Sequence, residues 1–168
     1  MSISLTASWK LFRIACIIQM VLVAFQSMLG VAGIFYRKKI IFPLTEAIAY
    51  GFIFIFVYMG LSLLNYNYPD TPLSNTQRKY FNWLFLINVL LVAYLFGQFI
   101  TEAKFVFLLF RFVTGGFLNY ASFMSWFLVD LVIFVLHIVF LVGMYQLRRS
   151  IYQNTMNNWY NQFDAENK

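Results

Sequence analysis

Apolar positions in this chain run together in long uninterrupted blocks. They show neither the 3.6-residue spacing of an amphipathic helix nor the alternation of a half-buried strand. Four blocks, covering roughly 11–36, 40–66, 81–100 and 121–147, are about 20 residues or longer. At a rise of about 1.5 Å per residue, each is long enough to cross a hydrocarbon core of about 30 Å. Lipid satisfies no backbone hydrogen bonds, so a spanning segment must be a helix or a strand of a closed barrel. Barrel strands alternate apolar and polar residues over about ten positions, which these blocks do not. The pattern predicts an all-α integral membrane protein, a single four-span domain over 1–168 with its transmembrane helices in a bundle.

Polar residues punctuate the blocks. Arg37-Lys38-Lys39 closes the first, and Pro43 opens the second, where the first helical N–H groups lack intrahelical partners anyway. Pro69, Asp70 and Pro72 mark a loop after the second, ringed by Tyr66, Tyr68, Tyr80 and Trp83 as in an interfacial aromatic belt. Thr101-Glu102-Ala103-Lys104 interrupts the third block, and Phe105–Val113 is then apolar again with Arg111 embedded in it. That run is too short to cross the core, so it is expected to be an interfacial segment or an extension of the third helix. Thr114-Gly115-Gly116 then breaks the chain before the fourth block, which Arg148-Arg149 closes ahead of an amphipathic tail.

Composition supports the membrane reading. The chain is 62% hydrophobic and 11% charged, against about 25% charge in soluble domains, and its mean hydropathy is +0.73. The net charge of +6 comes from residues sited mostly at block ends, where they meet headgroups, so nucleic acid is not an expected partner. Lys10, Arg13, Arg78, Lys79, Arg148 and Arg149 lie on the side of the termini, against Arg37, Lys38, Lys39, Lys104 and Arg111 opposite. This slight excess leans toward cytoplasmic termini. The first block, about 26 residues long with no small-residue cleavage site, reads as a retained helix rather than a signal peptide. Cys16 is the single cysteine, and no N-x-S/T sequon is present.

No catalytic or cofactor motif stands out, so the candidate chemistry lies in polar groups at membrane depth. Asp, Lys or Arg at the centre of a spanning helix costs roughly 2.5–3.5 kcal/mol on insertion scales and tends to face a partner or a cavity. Glu46, Asp130 and His137 are the clearest cases. Counting from the block ends puts Glu46 and Asp130 at roughly 9 and 13 Å depth from the same side. Gln26 reaches the same layer, with Gln98 and Glu102 just above it. Seven residues separate Gln19 from Gln26, and Asp130 from His137, which places each pair on one helix face. Asn88 joins Gln19 and His137 in a deeper layer.

Two joined polar layers would suit a proton or cation path, since carboxylates exchange protons and His titrates near neutrality. The same groups equally serve as interhelical hydrogen-bond glue, worth about 0.6–2 kcal/mol each, or as contacts to a larger partner. One His makes a self-contained haem site improbable, and no cofactor or metal is expected. Ala47-xxx-Gly51, Ala93-xxx-Gly97 and Ala121-xxx-Ser125 are candidate close-packing motifs. The leading expectation is a non-enzymatic membrane subunit acting through helix packing in a homo-oligomer or a larger membrane complex. The alternative is a small proton or cation channel or transporter. A sensory module is disfavoured by the short tail after Arg149.

Overall fold

The structure, a computed structural model, describes residues 7–36, 41–111 and 117–166. They form four helices in chain order: α1 (Ala7–Tyr36), α2 (Ile41–Asn67), α3 (Asn75–Arg111) and α4 (Phe117–Glu166). Each contains a stretch long and apolar enough to cross a membrane. The third helix runs through Thr101–Lys104 without a break and reaches Arg111, so the short apolar run after the third block continues α3. Arg37-Lys38-Lys39 and Thr114-Gly115-Gly116 lie outside the described residues.

Sequential helices are neighbours: α1 packs on α2, α2 on α3, α3 on α4, and α4 closes back onto α1. The α2 and α4 backbones also approach each other, whereas no α1–α3 approach occurs among the described residues. The cross-section is therefore a rhombus with α2 and α4 on its short diagonal. Val23, Ile53, Val57, Ile133, Phe140 and Met144 fill its centre, each at most 1% exposed. Cys16, also buried, joins this cluster. Near the end that holds the chain termini, Trp9 stacks on Tyr68 with ring centroids 4.8 Å apart, and Phe12 continues the row to Phe140.

Gly30, Gly60 and Gly143 make room for close helix contacts. A Cβ on Gly30 would stand 3.0 Å from both the Cβ and the backbone nitrogen of Ala47, so glycine is what lets α1 and α2 meet there. Ser27 strengthens the same contact by donating to the Ala47 carbonyl at 3.0 Å. A Cβ on Gly60 would come within 2.6 Å of the Phe140 ring, which joins α2 to α4. Gly51 makes only ordinary contact with Ser27, and Gly97 faces open space. Among the described residues the Ala93-xxx-Gly97 motif thus makes no close approach.

Local signals fix the α2–α3 end. Ser74 and Gln77 form a reciprocal capping box: the Gln77 backbone N–H donates to Ser74 Oγ at 3.2 Å, and the Ser74 N–H donates to Gln77 Oε1 at 2.9 Å. The turn before it is clamped to α4. Asn154 donates to the Pro69 carbonyl, Thr155 to the Asp70 carbonyl and Asn158 to the Asp70 carboxylate. These contacts explain why α4 stays helical for 50 residues, about 75 Å at the usual rise, far beyond its apolar stretch.

Outside the core, large apolar side chains point outward: Leu11, Met28, Phe35, Leu90 and Trp83 are each more than 60% exposed. A helix in water turns such residues inward as one stripe. Helices apolar on their outer faces as well suit a lipid surround.

Candidate functional site

Asp130 of α4 is the centre of a polar cluster fed by all four helices. Tyr50 of α2, itself buried, donates its hydroxyl to Asp130 Oδ1 at 2.6 Å. Gln26 of α1, also buried, donates its amide to the same oxygen at 3.3 Å. Glu102 of α3 comes close enough for its carboxyl group to hydrogen-bond that of Asp130. Two ionised carboxylates are acceptors only, so such a bond requires a proton on one of them. Glu102 Oε2 is buried, and no amide, hydroxyl or backbone N–H of the described residues donates to it.

Glu46 is half-buried and lies within electrostatic reach of Glu102, Tyr50 and Tyr94. Three carboxyl groups from three helices therefore share one layer. Among the described residues, no three His, Cys, Asp or Glu side chains are grouped so as to hold a metal ion. Gln98 stays on its own helix, where it donates to the Tyr94 hydroxyl at 2.8 Å. The Gln98 amide thus belongs to the neighbourhood of the cluster without bridging helices.

The deeper layer is built differently. Gln19 of α1 and His137 of α4 have no exposed surface, and the Gln19 amide nitrogen stands 2.8 Å from His137 Nδ1. With the amide donating, Nδ1 accepts, which leaves the ring proton of a neutral imidazole on Nε2. Phe140 stacks against the ring at 5.8 Å. Asn88 of α3 is equally buried, but its side chain donates back to the Leu84 carbonyl of its own helix at 2.7 Å. Its backbone lies beside His137. Gln19 Oε1 and Asn88 Oδ1 retain hydrogen-bonding capacity that no described residue uses.

Seven-residue spacing on α1 and α4 aligns the two layers, about 10 Å apart along the axis. Tyr50 and Tyr94 carry no formal charge, so a search for charged or amide residues passes over them. Spacing was their available signal: Tyr50 follows Glu46 by four residues and Tyr94 precedes Gln98 by four, which puts each pair on one face. Comparison with protein-family models, curated proteins and solved structures finds no match for this chain.

Proposed function

We propose that this chain is a non-enzymatic integral membrane subunit that works through helix packing, in a homo-oligomer or with other membrane subunits. The observation that carries this reading is an apolar cleft of about 460 Å³ between α2 and α3, lined by Ile48, Phe52, Phe56, Leu90, Leu91 and Tyr94. Continuing the α3 side of this stripe at helical spacing, Leu90 and Tyr94 lead to Gly97, beside which an added Cβ would meet nothing within 4 Å. Small residues next to an apolar groove are what membrane helices use to approach one another.

Gly97→Leu tests the reading, since the side chain meets no described residue and falls where a docked helix would lie. The expected outcome is a stoichiometric assembly of the wild type in mild detergent, resolved by its mass. The variant should run as a folded single chain. A wild type that is monomeric in detergent and in bilayers, with no companion subunit, refutes the proposal.

A second reading, proton or cation passage, draws on the carboxyl layer. Interhelical glue needs only amides and hydroxyls, yet Glu46, Glu102 and Asp130 bring three acids together. On this reading Asp130 and Glu102 exchange a proton, and the Gln19–His137 layer lies next along the path. Asp130→Asn keeps hydrogen bonds to Tyr50 and Gln26 but cannot exchange protons. It should abolish dye-reported flux into liposomes while assembly survives, and unchanged flux excludes Asp130 from any path.

A further inference from the structure

A second cavity, of about 320 Å³, lies at the end of the bundle that holds the chain termini, between the start of α3 and α4. Its chemistry differs from that of the cleft. Arg78, Arg148 and Arg149 line it together with Leu73, Tyr145 and Ile151, so guanidinium groups meet an apolar floor. None of the three arginines pairs with a carboxylate among the described residues. Arg148 is held in place: its Nη1 donates to Asn82 Oδ1 at 2.8 Å, and its guanidinium lies 4.8 Å from the centre of the Phe81 ring. Arg78 spends only its Nε, which donates to the Leu73 carbonyl at 3.1 Å. No described residue accepts from its two terminal nitrogens, from the remaining donors of Arg148 or from Arg149.

Location narrows what such a pocket would take. Arg148 and Arg149 follow directly on the apolar stretch of α4, and Arg78 sits in the first turn of α3, whose capped N-terminus adds positive potential. On the membrane reading proposed above, on which this inference rests, that level is the headgroup region. Guanidinium forks match phosphate oxygens two at a time. Basic pockets between helices at this depth suit anionic headgroups, and the apolar floor suits the start of the acyl chains.

We propose that this pocket binds the phosphate group of an anionic phospholipid. The lipid comes from the leaflet that meets the chain termini. Arg148 provides a fixed fork, and Arg78 and Arg149 close on the phosphate from either side.

The test uses the full chain in phosphatidylcholine vesicles with or without phosphatidylglycerol, with retained lipid read by native mass spectrometry. Arg78→Gln/Arg149→Gln is the working variant, because Arg148 also supports Phe81 and Asn82. Wild type should retain phosphatidylglycerol over phosphatidylcholine. The double variant should lose roughly 30-fold of that preference, the equivalent of about 1 kcal/mol per arginine. Lys104→Gln, at the opposite end, should leave it unchanged. Equal preference in wild type and double variant overturns the proposal. So does inorganic phosphate that alone stabilises detergent-solubilised wild type, but not the variant, against heating, since the site is then one for the free ion. Resistance to alkaline extraction scores incorporation separately. A chain that incorporates without headgroup preference overturns the lipid site alone, whereas one that fails to incorporate overturns the membrane reading too.

Discussion

The two polar layers share helices, alignment and long-range partners, yet they are built from opposite materials. Gln19, Asn88 and His137 are neutral and have no exposed surface. Asp130, Glu102 and Glu46 are acids, each only half-buried. The deeper layer behaves as a specificity device: an amide and an imidazole satisfy each other in one geometry and fix how α1 and α4 rotate. The upper layer collects hydrogen bonds from Tyr50 and Gln26 on a single carboxyl oxygen, Asp130 Oδ1, and sets a second carboxyl group beside it. Full burial tolerates little change in hydrogen bonding, while partial burial leaves protonation free to vary. Structural cost should therefore concentrate in the deeper layer and chemistry in the upper one.

The largest stability loss is expected from Gln19→Leu. It strands His137 Nδ1 in the core, and an unsatisfied buried group costs about 1–3 kcal/mol. Thermal unfolding in detergent should show this loss. Gln19→Leu/His137→Leu should recover part of it, because no polar atom of the pair then remains. Additive losses in the double variant would mean that the amide and the ring act independently, and the description of the layer as a matched pair would fail.

Asp130→Leu comes next. It removes the acceptor shared by Tyr50 and Gln26 and should cost about 1–2 kcal/mol, within the range of interhelical hydrogen bonds in membranes. Asp130→Asn should cost less than about half as much, since its carbonyl oxygen still accepts. Equal losses for the two variants, measured by the same unfolding transition, would show that charge rather than hydrogen bonding governs this position. The upper layer would then depend on the charge of Asp130 rather than on its hydrogen bonds.

How much of this was legible in the sequence depends on the scale. The four apolar blocks mark the helices because only length and hydropathy decide them. The ends were less visible: α3 begins at a Ser74–Gln77 capping box, and α4 runs on through contacts with Pro69 and Asp70, neither of which registers in hydropathy. Spacing of seven on α1 and α4 placed Gln19 with Gln26 and Asp130 with His137, but rotation of one helix against another is set by packing. Gly30, Gly60 and Gly143 are among the close contacts that set it, and as single small residues in apolar blocks they carry no distinguishing signal. Asn88 illustrates the same limit, since its side chain turns to its own helix. A polar residue at the right depth can always satisfy itself locally.

Tyr50→Phe is the finest probe of the contrast, because it deletes one hydroxyl and leaves the packing of a buried ring intact. Asp130 keeps Gln26 and the neighbouring Glu102, so the expected loss is about 0.5–1 kcal/mol. That is smaller than for Gln19→Leu, whose partner has no described alternative on Nδ1. Measured against Asp130→Leu in a double-mutant cycle, the coupling should equal most of the Tyr50→Phe loss, because the 2.6 Å bond is the hydroxyl's hydrogen bond to Asp130. Zero coupling would mean that the hydroxyl finds another acceptor when Asp130 is gone. With Glu46 one turn before Tyr50 on the same face, that acceptor would be a second carboxyl group of the layer. The upper cluster would then be a set of interchangeable acids around one donor, in contrast to the single fixed pairing below it.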